Sequence, residues 1–398
     1  MEKKTQKMSL WLLIVFISFS VPLSDNEFYF YFIAGFLIIL GLFSNRLSIP
    51  INKNSSSMYP FYLIAIWLFG VIVGAVKQNP SEFIVRNFAG TVCYLLFYAI
   101  PQDIREDGKK LTEILIKSSV IASAYVCIAS LLYTRTGGAF WPFSNAEFNH
   151  FTQSVMSSAG LMAFVLEAVS IRTIFTPNPL RKKIAGVIFF GLSLYASVIA
   201  NNMGGYLLAF IMIMWLSGMS CFNRLFTSRR ILFLIFLFVF SLFLMAYDYY
   251  SEGFLYEIFS LADHGNAKRM YQIGVVLERF SLLGNGIGAP FNYTFTTKSF
   301  YTYSIEVSYF NCIDKYGILS IPLFYIMFRS VYLPIRNIFW KQGDPIQNLV
   351  ALGLMAYAFI AIGNPILFAA YNVIAHCLSL TLSDSSRPVE TTDKETAA

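Results

Sequence analysis

The sequence predicts an all-α polytopic membrane protein with about twelve transmembrane helices and one large loop on the outer face. Three observations lead to this prediction. Hydrophobic residues make up 57% of the 398 residues, only 13% are charged, and apolar runs of helix length recur from end to end. Soluble proteins are about 45–50% apolar and about 25% charged. This composition excludes a soluble enzyme, a disordered chain and a small disulfide scaffold.

The apolar runs give the positions of the predicted spans. About 20 apolar residues cross a bilayer as a helix, and several runs are shorter, so the last two could form one re-entrant pair. The basic start, MEKKTQK, precedes an apolar run without a cleavage site, which favours a retained first helix over a signal peptide. The predicted spans are residues 8–23, 28–43, 59–76, 83–100, 111–133, 151–169, 184–200, 203–221, 231–247, 305–328, 349–362 and 366–382.

Lys and Arg residues predict the orientation of these spans. With both termini in the cytoplasm, 20 of the 29 Lys and Arg residues fall in cytoplasmic segments, six in outer segments and three inside spans. The net charge of +7 is therefore a topology signal. It indicates basic loops facing anionic membrane lipid and gives no reason to expect a nucleic-acid partner.

One long outer loop divides the chain. We predict a bundle of spans 1–9 over residues 1–247, the large loop over 248–302, spans 10–12 over 303–382 and a cytoplasmic tail over 383–398. Within the loop, residues 254–259 and 270–280 carry apolar side chains at helical spacing. They predict amphipathic helices that lie at the membrane surface.

Cysteine and histidine give no sign of a metal or cofactor site. The five cysteines lie in or at the end of spans without a CxxC pair, and the three histidines share no ligand spacing. We therefore expect packed, unpaired cysteines and no metal. His376 lies inside a span, where a hydrogen-bonded role in the bundle is expected. His150 faces the outer compartment, which leaves a ligand contact open.

Charged residues at membrane depth are costly unless they are paired or hydrated. Arg86 lies near the outer end of span 4, where it either reaches the interface or binds an anion from within the bundle. Span 10 carries a polar stripe that predicts a cavity lining: Ser304, Ser308, Asn311 and Lys315. Glu306, at the outer mouth of this span, is the best-placed general base. Its alternative is an interface carboxylate in water.

The long loop contains two arginines and a glycine-rich run. Arg269 and Arg279 would lie about 80° apart on one short helix, and guanidinium forks suit phosphate. The run GNGIG, residues 284–288, lacks the strand and helix of a dinucleotide fingerprint. It predicts either a plain turn or a turn whose exposed amides lie near phosphate.

In their order, these pieces resemble the O-antigen polymerase and ligase superfamily over roughly residues 130–380. GAFWPFSNAEFNHFTQS resembles the family's asparagine-bearing entry to a span at Asn149, and AKRMYQIGVVLERFSLLGNGIG resembles its arginine loop, with Arg269 at the arginine position. EVSYFNCIDKYGILSIPLF resembles the segment after the loop, where ligases carry histidine instead of Glu306. NPILFAAYN resembles the closing span. The run NNMGG, residues 201–205, lacks an arginine found in many members, for which Arg86 or Arg135 could substitute.

The resemblance implies a GT-C-like enzyme of the bacterial inner membrane. It would transfer a glycan en bloc from undecaprenyl pyrophosphate onto a lipid-linked repeat unit, without metal or cofactor. The expected partners are undecaprenyl-pyrophosphate-linked oligosaccharides, membrane lipid and a chain-length regulator protein. Glu306 and Arg269 would be the catalytic residues, and the substrate-binding residues would be Arg279, Arg135, Arg86, Asn149, His150 and Lys315.

Other functions stay open at this point. A ligase that joins the glycan to lipid A-core would be expected to have histidine at position 306. A capsule or exopolysaccharide polymerase uses the same chemistry, and the sequence does not separate it. A flippase or transporter would favour internal repeats and short outer loops, and a structural membrane subunit would tolerate substitution of Glu306 and Arg269.

Overall fold

The computed structural model describes residues 58–92, 97, 102–105, 107–136, 148–199, 204–221, 264–360 and 370–385, and the single positions 35, 36, 39, 235, 239 and 246. Predicted span 8–23 and nearly all of spans 28–43 and 231–247 therefore lie outside the described residues. The predicted amphipathic stretch 254–259 and the tail after residue 385 also lie outside them.

The described chain is mostly helical, with one small sheet. The strands are β1 (Phe291–Phe295) and β2 (Lys298–Thr302). The helices are α1 (Tyr59–Val76), α2 (Ser81–Val92), α3 (Gln102–Arg105), α4 (Gly108–Thr136), α5 (Phe148–Phe175), α6 (Leu180–Ile199), α7 (Gly204–Ser220), α8 (His264–Glu278), α9 (Ser308–Tyr316), α10 (Ser320–Trp340), α11 (Pro345–Leu354), α12 (Ala356–Ile360) and α13 (Ala370–Ser385).

Three helical segments in the described chain are long and apolar enough to cross a membrane: Tyr59–Val76, Gly108–Leu132 and Ser308–Trp340. Ala209–Ser220 and Pro345–Ile360 are shorter apolar helical segments. The structure thus supports a helical membrane protein, while the count of about twelve spans stays a prediction.

Helix α5 lies at the centre of the bundle, where it packs against α4, α6, α7 and α11. Every residue from 162 to 168 in this helix is buried, as expected for a helix that is surrounded on all sides. Helix α11 approaches closely through Gly353, because a Cβ atom there would lie 2.6 Å from the Cα atom of Val165. The small residue lets the two backbones pack together.

Two helix starts show how local sequence sets the boundaries. Asp344 precedes Pro345 and accepts a hydrogen bond from the Ile346 amide at 2.7 Å, which is the usual N-cap and first-turn arrangement. Asp107 accepts hydrogen bonds from the amides of Lys109 and Lys110 at the start of α4. The Lys110 amide is the main reason that the pKa of the Asp107 carboxyl lies below its ordinary value.

Pro334 lies inside α10. Because proline has no N–H, it cannot donate to the carbonyl oxygen four residues earlier. That oxygen belongs to Ser330, and it accepts a hydrogen bond from the Ser379 hydroxyl of α13 at 2.8 Å instead. The polar group freed by proline thus joins two helices.

His376 adds a second connection in the same region. Its side chain is fully buried and contacts the hydroxyls of Ser330, at 3.1 Å, and of Tyr357. The Ser330 hydroxyl donates its proton to the Met327 carbonyl. We therefore place the imidazole proton of His376 on Nδ1, which donates to Ser330, and let the Tyr357 hydroxyl donate to Nε2. The predicted hydrogen-bonded role of His376 in the bundle is confirmed.

Residues 264–319, which we call the outer segment because most of them are predicted to lie on the outer face, correct two predictions. The expectation of an all-α chain is wrong at residues 291–302, which form an antiparallel hairpin with Phe291 opposite Thr302 and Phe295 opposite Lys298. Span 10 is not one continuous helix from residue 305, because helix begins at Ser308 and a 3-10 turn at Gly317–Leu319 separates α9 from α10.

The hairpin forms because β1 alternates aromatic and polar residues, so that one face can be buried. Phe291 and Tyr293 pack with Val276 of α8 and with Ile305 in a small cluster apart from the main core. This cluster fixes α8, the hairpin and the start of α9 relative to one another, and it positions the candidate site.

Candidate functional site

The glycine loop, residues 284–288, docks on the turn between α1 and α2. The Lys77 ammonium donates to the Gly284 carbonyl at 2.9 Å and to the Asn285 side chain at 3.0 Å. The Asn79 side-chain amide donates to the carbonyls of Asn285 and Ile287 at 2.9 and 3.0 Å. Two segments that the sequence assigns to the same outer face are therefore in direct contact.

The backbone amides of the glycine loop donate to protein carbonyls. The Asn285 amide donates to Asp314 at 2.6 Å, the Gly286 amide to Lys315 at 3.0 Å and the Ile287 amide to Gly70 at 2.8 Å. These amides are directed into the protein, so the interpretation of this run as a phosphate-binding loop is wrong. Its alternative, a structural turn, is the correct one.

Glycine is required in this loop for two reasons. Gly286 has a φ of +81°, in the left-handed region that other residues rarely adopt. A Cβ atom at Gly286 would also overlap the backbone of Gly74 in α1, and a Cβ atom at Gly74 would overlap the Ile287 carbonyl. The two glycines allow the loop backbone to lie directly on the helix.

Arg279 is engaged within the protein. Its Nε atom lies 2.8 Å from Asp314 Oδ1 and its Nη2 atom 3.2 Å from Oδ2, while Nη1 donates to the Pro290 carbonyl at 2.6 Å. Its guanidinium also lies 4.5 Å from the centre of the Phe291 ring. A phosphate could use this guanidinium only if these contacts opened, so the substrate-binding role of Arg279 stays a prediction.

Lys315 is buried beside this pair. Its ammonium donates to the Asn87 side chain of α2 at 2.5 Å and lies 6.0 Å from the Tyr303 ring. The Asn285 side chain donates to Asp314 at 2.8 Å. The predicted substrate-binding residues Arg279 and Lys315 thus lie in one polar group, in which Asp314 and Lys315 are buried and Arg279 is partly exposed. This group connects the outer segment to α2.

A second group contains the two predicted catalytic residues. The Lys268 ammonium lies 2.7 Å from Glu306 Oε1, and Arg269 Nε lies 3.3 Å from Oε2. Arg269 also donates to the Asn266 side chain at 2.9 Å. We call Lys268, Arg269 and Glu306 the Glu306 cluster. All three side chains are partly exposed.

Gln272 fixes the backbone at Glu306. Its side-chain oxygen accepts a hydrogen bond from the Glu306 amide at 3.0 Å, and its side-chain nitrogen donates to the Tyr293 hydroxyl at 2.7 Å. Gln272 is itself buried. Helix α8 therefore supplies the two cations of the cluster and also holds the chain that carries the carboxylate.

The remaining predicted residues lie elsewhere. Arg135 is exposed in the last turn of α4. Arg86 is in α2, and Asn149 and His150 are in the first turn of α5, but the side chains of these three residues lie outside the described parts of the chain. The structure brings together Arg269 with Glu306, and Arg279 with Lys315, as two separate groups.

Only part of the predicted polar stripe is helical. Ser308, Asn311 and Lys315 belong to α9, while Ser304 precedes the helix and accepts a hydrogen bond from Asn311 at 3.1 Å. The stripe therefore makes contacts within the protein at both of its ends.

Three buried or clustered residues were missed by the sequence reasoning. Two of them, Lys268 and Gln272, lie in α8. With Val276 they are spaced by four residues, which would place them on one helix face.

Glu167 of α5 is fully buried, and neither of its carboxylate oxygens has a hydrogen-bond partner in the described chain. The signal for Glu167 was its position inside predicted span 151–169.

No protein-family model matches this chain, and no curated protein matches it in sequence. The likeness to the O-antigen polymerase and ligase superfamily therefore rests on the motifs themselves.

Proposed function

We propose that this chain is a surface-polysaccharide polymerase, a multi-pass glycosyltransferase of the bacterial inner membrane. It would transfer a growing glycan from undecaprenyl pyrophosphate to a lipid-linked repeat unit on the periplasmic side. The observation that carries this proposal is the Glu306 cluster, a carboxylate held between two cations. It lies just before the N-terminal end of the apolar segment Ser308–Trp340, the end that is predicted to face the periplasm.

The reaction assigns a step to each member of the cluster. A hydroxyl oxygen of the acceptor sugar attacks the anomeric carbon of the donor glycan, and a new glycosidic C–O bond forms. The bond between that carbon and the phosphate oxygen breaks, and its electron pair leaves with undecaprenyl pyrophosphate. Glu306 accepts the proton of the attacking hydroxyl.

Lys268 and Arg269 would stabilise the charge that develops on the leaving diphosphate. Fixed cations at a partly water-excluded site can stabilise such charge more than cations in bulk water. Lys268 and Arg269 are assigned this role because their partner Glu306 is partly exposed, whereas Arg279 is paired with the fully buried Asp314. Arg279 then holds the outer segment in place.

The surface of α10 supports a lipid-linked substrate. Its exposed residues Ile321, Tyr325, Phe328 and Tyr332 follow helical spacing on one face. An apolar stripe of this kind suits lipid chains. Undecaprenyl-linked oligosaccharides and membrane lipid are the proposed contacts of the apolar surface. A chain-length regulator is the proposed protein partner.

The test is a glycan ladder from a strain that lacks the gene and carries each variant at matched expression. We expect Glu306→Gln and Arg269→Ala to leave only a single capped repeat unit, with polymerisation by the purified proteins falling about 100-fold. Lys298→Ala is the matched control, because Lys298 is exposed on the hairpin, outside the cluster, and should leave the ladder unchanged.

Two results would contradict this function. A normal ladder from both cluster variants would remove Glu306 and Arg269 from the reaction. Loss of every repeat unit in the deletion strain would indicate ligation to lipid A-core instead of polymerisation. Chain lengthening by purified protein from lipid-linked repeats would exclude a transporter that only moves them.

A further inference from the structure

Resting on the proposed function, we propose that Glu306 is an internal ligand that occupies an anion site formed by Lys268 and Arg269. A diphosphate displaces the carboxylate from the two cations, and only then is the carboxylate free to accept a proton. The donor therefore activates the base, and the acceptor reacts after the donor has bound.

The contacts of the carboxylate supply the first argument. Lys268 donates a hydrogen bond to one oxygen of Glu306, and the Arg269 guanidinium lies 3.3 Å from the other oxygen without a hydrogen bond from its Nε atom. A base needs an oxygen lone pair directed at the proton that it removes. In the arrangement observed, these cations compete with any hydroxyl for the carboxylate.

The charges supply the second argument. Within the described chain, Glu306 is the only acidic residue that forms an ion pair with Lys268 or Arg269. Among the described residues, these two cations and one carboxylate carry one net positive charge. A diphosphate carries more negative charge than a carboxylate and offers several oxygens to the same donors, so it is the stronger ligand for the pair.

Exposure supplies the third argument. The side chains of Lys268, Arg269 and Glu306 are 21%, 29% and 30% exposed, whereas Asp314 in the neighbouring ion pair is 0% exposed. Each member of the Glu306 cluster therefore has part of its side chain in contact with solvent, which an incoming anion can reach. The Glu306 backbone stays in place during this exchange because Gln272 holds its amide.

The test is the binding of inorganic pyrophosphate to the purified full chain, measured by titration calorimetry. Removing the competing carboxylate should strengthen binding, so we expect Glu306→Gln to bind pyrophosphate about tenfold more tightly than wild type. Lys268→Ala and Arg269→Ala should each bind about tenfold more weakly. Lys298→Ala, which removes an exposed cation from the hairpin, should bind like wild type.

A second arm separates a lipid-linked anion from a free one. Undecaprenyl pyrophosphate in nanodiscs should show the same order of affinities across the variants as inorganic pyrophosphate. If the order holds for the inorganic ion alone, the site binds a free anion and not the donor, which overturns the proposed role in donor activation.

Unchanged or weaker pyrophosphate binding by Glu306→Gln overturns the inference. Glu306→Ala is also expected to bind pyrophosphate more tightly than wild type. If one of the two variants does not fold, the other still gives the test. The readout is also independent of the proposed function. If Glu306→Gln binds pyrophosphate more tightly but gives a normal glycan ladder, Glu306 is the internal ligand but not the base. If Glu306→Gln loses the ladder but binds pyrophosphate like wild type, Glu306 takes part in the reaction but is not the internal ligand.

Discussion

Asp314 has no exposed surface, and its two carboxylate oxygens are bound by Arg279 at 2.8 and 3.2 Å. Removing one partner of a buried pair leaves the other charge without compensation. We expect Arg279→Met to lower the free energy of unfolding by about 3–5 kcal/mol, measured by thermal or denaturant unfolding in detergent.

The double variant Arg279→Met with Asp314→Leu is the control for this prediction. It removes both charges, so it should recover much of the loss. A single Arg279→Met variant as stable as wild type would contradict the structural role of the pair.

At the residue scale, the sequence identified charged residues more readily than their partners. The sequence predicts Arg269 and Arg279 on one short helix, with guanidinium groups suited to phosphate; Arg279 directly follows α8 in the structure. In the folded chain each meets a different acid, Glu306 or Asp314. Those acids follow a hairpin whose position depends on long-range packing, and no local spacing in α8 contains that information.

At the element scale, the glycine loop has a strict sequence requirement. Gly286→Ala would place a side chain at positive φ and against the backbone of α1. Strain of this kind costs about 1–3 kcal/mol, so we expect Gly286→Ala to lower stability by at least about 1 kcal/mol. Faster proteolysis of the outer segment should accompany the loss of its docking contacts.

Gly274 in α8 provides the matched control. Apart from the neighbouring residues and the backbone of α8 itself, no atom of the described chain lies within 4 Å of the position that its Cβ atom would occupy, and alanine is the better helix former. Gly274→Ala should therefore be neutral or stabilising. Equal stability of the two alanine variants would show that the docking of the glycine loop contributes little.

Element boundaries followed from the sequence where apolar runs were bounded by turn residues. Predicted span 59–76 coincides with α1, and span 184–200 lies within one turn of α6 at each end. The prediction for the long loop does not include the hairpin, although Phe291, Tyr293 and Phe295 alternate with polar residues as residues of a half-buried strand do. The break at Gly317 follows from contacts with the glycine loop, which the sequence alone does not show.

At the scale of the whole molecule, the predicted topology can be tested by labelling. In intact cells, Thr297→Cys in the hairpin turn should react with a membrane-impermeant maleimide, because the loop is predicted to be periplasmic. Lys182→Cys at the start of α6 should react only after permeabilisation. The wild-type chain is the control for labelling of the native cysteines, of which Cys127, Cys312 and Cys377 are buried.

Labelling of both positions from the same side would contradict the predicted orientation.

Composition alone was sufficient to predict a helical membrane protein. It did not give the number of spans, because hydropathy does not separate a lipid-facing helix from one surrounded by protein, such as the buried centre of α5. Three candidate spans are visible in the described chain.

Pro334 has a mechanical consequence for the molecule. The hydrogen bond from Ser379 to the Ser330 carbonyl fixes the register between α10 and α13, since a slide of either helix would leave that carbonyl without a donor in an apolar interior. We therefore expect α10 and α13 to keep their register. If the chain holds a lipid tail as proposed, that tail is expected to enter between other helices of the bundle.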